Sequence, residues 1–286
     1  MNSVRTVTDL RLALAPERRA GRRIGLVPTM GAFHDGHLSL IARARKECDV
    51  VVVSLFVNPA QFGPAEDLES YPRHESRDAA LAQTEGADLL FAPSADEVYP
   101  GGFATAVTVE GLTGVLCGDP GRRGSEHFAG VTTVVAKLFN MVQPDRAYFG
   151  QKDAQQAIVI EKMARDLDLP VEVVTCPTVR EADGLAMSSR NAYLSAEERS
   201  RAPALNRALE AADSTVARGE RSASAVLGAA RRELHAAGIE PEYLELRSAS
   251  DLQPVEHVNG STLLAVAAQV GRARLIDNKV LGGTHR

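Results

Sequence analysis

Residues 24–57 read IGLVPTMGAFHDGHLSLIARARKECDVVVVSLFV. The runs Ile24–Val27 and Val50–Val57 are short and continuously apolar, which is typical of strands buried on both faces of a sheet. Between them, apolar side chains recur at helical spacing from Leu38 to Cys48. This strand–helix–strand order predicts a parallel sheet covered by helices.

The same alternation continues to about residue 175. Further helices are predicted over residues 75–85, 127–142 and 154–167, and further strands over 88–92, 146–149 and 171–175. From residue 178 onward, two long helical segments, 196–217 and 224–237, precede three strand-like runs. We therefore predict an α/β fold with a Rossmann-like parallel-sheet domain over residues 1–177 and a smaller α+β domain over residues 178–286.

The turn Pro28–His37 places two histidines around a glycine where the first helix of the motif begins. Helix N-termini present unpaired N–H groups and attract anions, and the imidazoles of His34 and His37 add donors for phosphate oxygens. The H-x-G-H pattern after a first strand thus predicts an ATP-handling nucleotidylyl transferase and a nucleotide-binding first domain. A zinc site is the alternative, but no third His or Cys ligand follows at the usual spacing.

Two further loops follow predicted strands, at the sheet edge where parallel sheets bind ligands. Asn58 and Gln61 both donate and accept hydrogen bonds, which suits a small substrate with hydroxyl and carboxylate groups. Gly150 permits close backbone approach, and Lys152 supplies positive charge near a helix start. The alternative interpretations are an Asn-Pro turn and an exposed lysine beside an Asp cap.

The segment Met187–Asn191 places the hydroxyls of Ser188 and Ser189 next to Arg190. Two hydroxyls and a guanidinium in one loop can hold a triphosphate. Serine-rich helix caps are also common, and a capping signal does follow at Ser195.

The composition of the chain gives no sign of a nucleic-acid or membrane partner. The chain has 286 residues, 44% of them hydrophobic, and a net charge of −5, which gives no electrostatic reason to expect nucleic acid or a membrane surface as partner. No apolar run is long enough for a membrane span or a signal peptide core. Three widely spaced cysteines indicate a reduced, cytoplasmic protein, with Cys48 and Cys176 in the core and Cys117 in a loop that is expected to be exposed.

Taken together, these motifs make the chain resemble the pantothenate synthetase family, the ATP-dependent pantoate–β-alanine ligases, nearly from end to end. The resemblance rests on residues 28–37, 54–62, 127–131, 149–153, 178–181 and 187–191. H-x-G-H alone would admit the wider nucleotidylyl transferase superfamily. The positions of Asn58, Gln61 and Gln156 narrow the resemblance to this family.

The resemblance implies a reaction in two steps. The carboxylate of pantoate attacks the α-phosphorus of ATP, giving pantoyl adenylate and pyrophosphate. The amine of β-alanine then attacks the acyl carbon and releases AMP and pantothenate. No covalent enzyme intermediate is needed, so positioning and charge stabilisation would supply most of the catalysis.

The resemblance also implies roles for individual residues. His37 is the expected proton donor, His34 lies beside it on the phosphates, and Lys152 contacts phosphate oxygens during adenylation. The expected ATP site comprises Met30, Gly31, Ala32, Phe33, His34, Asp35, Gly36, His37, Gly150, Gln151, Lys152, Asp153, Val179, Met187, Ser188, Ser189 and Arg190. Gln61, Gln156 and Asn58 form the expected substrate pocket for pantoate and β-alanine, and the smaller domain is expected to cover the site.

Mg²⁺ is implied as a cosubstrate ion with ATP, with no tightly bound organic cofactor, and the implied assembly is a homodimer. Where many family members carry an acidic pair, this chain has Arg77-Asp78. A role of that pair in holding Mg²⁺ would fall here to Asp78 alone or to the ATP phosphates, and no protein ligand of the ion is assigned. Residues 62–71 are predicted to form a mobile flap.

Other function classes are weaker. A nucleotidylyl transferase that moves AMP onto a phosphorylated cosubstrate is the second interpretation, and a nucleotide-binding regulatory module is the third. A dehydrogenase or a P-loop kinase lacks its glycine-rich signature here.

Overall fold

The computed structural model describes residues 1–63, 68–69 and 71–282. They form two compact units: an N-terminal unit of Met1–Gly150 and Val159–Cys176, and a C-terminal unit of Gln151–Ile158 together with the chain from Pro177 onward. The sequence analysis expects a single boundary at residue 177, whereas in the structure residues 151–158 also belong to the C-terminal unit. The predicted flap, residues 62–71, includes residues 64–67 and 70, which lie outside the described residues.

Among the described residues of the N-terminal unit, six strands form one parallel sheet in the order β1-β4-β3-β2-β5-β6. The strands are β1 Asn2–Val4, β2 Ile24–Thr29, β3 Val50–Leu55, β4 Leu89–Phe91, β5 Arg146–Gly150 and β6 Glu172–Cys176. The helices are α1 Val7–Arg19, α2 Asp35–Glu47, α3 Glu75–Thr84, α4 Ala95–Val98, α5 Ser125–Val142 and α6 Ala154–Asp166, the last of which begins in the C-terminal unit. The predicted parallel α/β fold is confirmed.

Strand β2 lies at the point where the strand order reverses, because the chain builds outward from it to β3 and β4 on one side and to β5 and β6 on the other. Pairing of β2 with β3 continues to Thr29, whereas pairing with β5 ends at Leu26. The carbonyl of Thr29 accepts from Phe56 on the β3 side, so by alternation Pro28 faces β5. Proline has no N–H to donate to the ladder, so β2 and β5 separate at the edge where α/β sheets bind ligands.

Burial explains why these segments become strands and helices. The four valines that open β3 are all buried, and most residues of α5 are buried as well. The sequence analysis missed β1 and α1, although Leu10 and Leu14 of α1 are fully buried and Thr6 caps that helix.

All three cysteines are buried, Cys117 included, although its position in a glycine-rich loop would have allowed exposure. Burial raises the pKa of the Cys48 and Cys176 thiols, which keeps them in the unreactive protonated form. In the part of the chain that the structure describes, no helix is both long and apolar enough to cross a membrane.

In the described part of the C-terminal unit, three strands form an antiparallel sheet in the order β7-β8-β9. The elements are α7 Ala196–Arg201, α8 Ala204–Ala217, α9 Ala223–Ala236, β7 Pro241–Ser248, β8 Thr262–Val270 and β9 Ala273–Leu281. Helices α8 and α9 pack against the sheet around a core that includes Leu205, Leu234 and Leu264. The single helix predicted over 196–217 is wrong, because Pro203 lacks the N–H that a continuous helix requires.

Candidate active site

The loop after β2 turns sharply at two consecutive residues with left-handed backbones, Gly31 with φ +91° and Ala32 with φ 54°. A β-carbon at Gly31 would be strained by this backbone conformation and would lie 2.8 Å from Cδ1 of Leu55, so the Leu55 side chain would have to move. This turn directs the chain from the sheet edge into the start of α2.

Asp78 on α3 fixes the conformation of this loop. Its carboxylate is fully buried and accepts from the N–H of Ala32 at 2.8 Å and from the N–H of Phe33 at 3.0 Å. The sequence analysis leaves Asp78 as the one protein carboxylate considered for Mg²⁺. In the structure each of its oxygens instead holds one backbone N–H of the loop.

Asp78→Asn is expected to destabilise the N-terminal unit by about 2 kcal/mol, because the amide NH2 would face one of the two buried N–H groups. Urea unfolding of the variant measures this change in the free energy of unfolding. Asp96→Asn at an exposed position of α4 is the matched control and should leave stability unchanged. Equal stability of both variants would contradict the anchoring role of Asp78.

The two histidines lie side by side at the N-terminus of α2. The helix begins at Asp35, three residues before the predicted Leu38, so His34 is its N-cap and His37 lies in its first turn. Their ring centroids are 4.2 Å apart, and His37 stacks on Phe33 at 5.4 Å. Nδ1 of His34 accepts from the N–H of Gly36 at 3.1 Å, which places the proton of the neutral ring on Nε2. The helix dipole and the imidazoles together form an environment for an anion.

Gln61 lies at the end of a short 3-10 turn, Pro59–Gln61, that follows β3. Its side-chain Nε2 lies 3.1 Å from Sδ of Met30. The loop after β3 therefore contacts the first residues of the loop after β2. The main-chain carbonyl oxygen of Gln61 is 2.7 Å from Nδ1 of His127 on α5. A β-carbon at Gly130 would lie 2.1 Å from the carbonyl oxygen of Ala60, so only glycine lets α5 approach the turn this closely.

In the C-terminal unit, Lys152 lies in a 3-10 turn, Gln151–Asp153, before α6. Asn278 on β9 holds this turn by donating from Nδ2 to the carbonyls of Gln151 at 2.8 Å and Lys152 at 2.9 Å. Its Oδ1 accepts from Nε2 of Gln151 at 2.9 Å. The backbone on both sides of the Lys152 side chain is thus fixed by one buried amide.

Asp277, next to Asn278, adds a buried charge pair. Its carboxylate is 3% exposed and accepts from Arg180 at 2.6 and 3.0 Å. Burial raises the pKa of this carboxyl, while Arg180 and Lys152 act in the opposite direction. The pair ties β9 to the loop that leads to Met187.

The segment Met187–Asn191, which carries Ser188 and Ser189, folds back toward Val179 and lies near Lys152. The N–H of Met187 donates to the carbonyl of Val179 at 3.0 Å, and Oγ of Ser188 caps a 3-10 turn that contains Ser189 and Arg190. Ser188 and Lys152 line the same small pocket of this unit. The structure therefore brings together, within the C-terminal unit, residues whose roles were predicted separately.

The remaining predicted site residues lie at ends of elements. Gly150 ends β5 in the N-terminal unit, and Gln156 lies on the first turn of α6, one turn after Lys152. The sequence analysis missed Tyr99 and Asn278 as partners of site residues. The adjacent Asp277 and Asn278 in β9 are a local sign of a polar site, although the sequence does not say which residues they contact.

Comparison with known proteins finds relatives that match nearly the whole chain. A model of the family described as pantoate-beta-alanine ligase matches residues 2–280. The chain belongs to the pantoate–β-alanine ligase family. This membership confirms the resemblance stated from the sequence motifs, and it establishes the chain as a ligase.

Among curated members of this ligase family, a pantothenate synthetase of Moorella thermoacetica is 54% identical over 282 residues, covering 98% of this chain and 99% of the relative. A solved pantothenate synthetase of Thermus thermophilus has a TM-score of 0.91 and 50% identity, covering 98% of this chain and 99% of that one. The Francisella tularensis pantoate-beta-alanine ligase, solved in complex with beta-gamma ATP and beta-alanine, has a TM-score of 0.79 and 31% identity, covering 98% and 97%.

Proposed function

We propose that this chain condenses pantoate with β-alanine to give pantothenate, through a pantoyl adenylate, with release of AMP and pyrophosphate. The observation that carries the proposal is the pair of imidazoles, 4.2 Å apart, at the N-terminus of α2. The family's name describes the same overall reaction, and a relative was solved with an ATP compound and β-alanine.

In the first step, a carboxylate oxygen of pantoate forms a bond to the α-phosphorus of ATP while the bond to the pyrophosphate oxygen breaks. His37 would donate a proton to a phosphate oxygen as negative charge develops on pyrophosphate, with His34 beside it. Lys152, Ser188, Ser189 and Arg190 would hold the triphosphate by charge and hydrogen bonds. The clamp of Asn278 on the Lys152 turn supports this role, because a fixed backbone reduces the cost of ordering a flexible lysine.

In the second step, the amine of β-alanine attacks the acyl carbon, the bond to the AMP oxygen breaks, and the amine loses a proton. Gln61 and Gln156 would hold pantoate, with Asn58 behind Gln61. Amide side chains suit a substrate whose hydroxyl and carboxylate groups both need partners, whereas a phosphorylated cosubstrate would call for added lysine or arginine.

We also propose that ATP enters with Mg²⁺ bound chiefly by phosphate oxygens and water, as is usual for this ion. The assembly would be a cytoplasmic homodimer. Three widely spaced cysteines, with no C-x-x-C pair among them, support the cytoplasm as the compartment. That the smaller domain covers the active site stays a prediction.

Pyrophosphate release by the purified protein tests the function. With ATP and pantoate alone we expect a burst of about one equivalent, since a bound adenylate accumulates, and continued turnover only after β-alanine is added. Release that needs no pantoate, or that requires a phosphorylated cosubstrate, would instead favour the transfer of AMP onto that cosubstrate.

Gln156→Ala is expected to raise the KM for pantoate about tenfold and to leave the KM for ATP nearly unchanged, because one hydrogen-bonding amide of the pocket is removed. Steady-state kinetics with each substrate varied in turn measures the difference. Gln83→Ala on the exposed face of α3 is the matched control. An unchanged KM for pantoate in Gln156→Ala would show that the pocket lies elsewhere.

A further inference from the structure

Tyr99, directly after α4, contacts the candidate substrate pocket from behind. Its hydroxyl donates to Oδ1 of Asn58 at 2.7 Å. The ring packs between Phe56 and Phe103, with centroids 6.2 and 5.1 Å away. Burial raises the pKa of Tyr99 to about 12, so the hydroxyl keeps its proton at neutral pH.

The buried amide of Asn58 has only one possible orientation. The carbonyl oxygen of Gly130, 3.1 Å from Nδ2, can only accept, and the N–H of Ala60, 3.3 Å from Oδ1, can only donate. Tyr99 adds the shorter of the two hydrogen bonds to Oδ1. The side chain is 1% exposed, so solvent does not compete for these groups.

The orientation of Asn58 decides the orientation of Gln61. Nδ2 of Asn58 donates to Oε1 of Gln61 at 3.1 Å, so the Gln61 amide group turns its Nε2 the other way, toward Sδ of Met30. A thioether is a weak acceptor. A carboxylate or hydroxyl oxygen of a ligand would therefore replace it as the partner of Nε2.

We propose that Tyr99 is a positioning residue. Its hydroxyl holds the Asn58 amide, whose orientation the Gly130 carbonyl and the Ala60 N–H decide, at the place where Asn58 fixes the amide of Gln61. The pocket then presents a hydrogen-bond donor to an oxygen of pantoate. This role rests on the proposed function. It makes the Tyr99 hydroxyl a determinant of affinity for pantoate, although the hydroxyl itself donates to Asn58 and acts on pantoate through it.

Tyr99→Phe removes the hydroxyl and keeps the packed ring. We expect the KM for pantoate to rise about fivefold, while kcat and the KM for ATP change by less than about twofold, as for one lost hydrogen bond that acts on one substrate. Tyr148→Phe is the matched control: its buried hydroxyl contacts Glu47 at 3.0 Å and Cys48 at 3.3 Å. That variant should lose thermal stability and keep the wild-type KM for pantoate.

A double-mutant cycle with Gln61→Leu separates positioning from a general structural effect. In the Gln61→Leu background, Tyr99→Phe should no longer change the KM for pantoate. A fivefold rise that persists there, an equal rise in Tyr148→Phe, or no rise in Tyr99→Phe would overturn the proposal. Wild-type pyrophosphate release is measured first: its failure rejects the proposed function, whereas normal wild-type activity with an unaltered Tyr99→Phe variant rejects only the positioning role.

Discussion

Lys152→Ala is expected to slow adenylate formation by on the order of 100-fold, since a positive charge aimed at the reacting phosphates stabilises the charge that develops in the transition state. The turn that carries Lys152 is held by the side chain of Asn278, so the lysine starts from a fixed backbone. Because this stabilisation grows as the reaction proceeds, kcat should fall more than the KM for ATP rises.

Single-turnover release of pyrophosphate with ATP and pantoate measures the Lys152→Ala effect without interference from the second step. Lys162→Ala is a matched control on α6, the helix that follows the turn of Lys152, because Lys162 is paired with Asp166 at the surface. Near-normal release in folded Lys152→Ala would remove this residue from the mechanism.

His37→Ala is also expected to slow adenylate formation by on the order of 100-fold, through loss of a proton donor at the leaving pyrophosphate. Its ring contacts the rings of Phe33 and His34, so the imidazole that we propose as the donor has a defined position before substrates bind. The same single-turnover assay measures the effect.

His235→Ala provides the control for His37→Ala, since His235 is a surface histidine on α9 whose Nε2 lies 3.2 Å from Glu240. Thermal unfolding of both variants shows whether the fold is kept. A rate for His37→Ala equal to that of His235→Ala would exclude the proposed proton donation.

The sequence predicts those parts of the site whose signals are local. The loop between Ile24–Val27 and the next helix can be located from an apolar run, a glycine and helical spacing within a few residues. The predicted start of α2 lies three residues late, because His34 is an unusual N-cap and the pattern of apolar residues begins only at Leu38.

The supporting contacts could not be predicted, because each joins residues far apart in the chain. Asp78 reaches Ala32 across 46 positions, Tyr99 reaches Asn58 across 41, and Asn278 reaches Lys152 across 126. Periodicity and capping rules describe neighbours in sequence and carry no information about such pairs. In each case the tertiary fold assigns the partner.

The contact between Asn278 and the Lys152 turn determines when, during synthesis on the ribosome, this part of the protein can take up its final structure. The parallel sheet can gather its strands while later residues are still being translated, since domains generally fold as units during synthesis. The turn that carries Lys152 acquires its holding amide only when β9 has emerged. A nascent chain would therefore possess the paired histidines well before the Lys152 turn is held in place. Under the role that we propose for Lys152, the ligase would gain its activity only after β9 has been made.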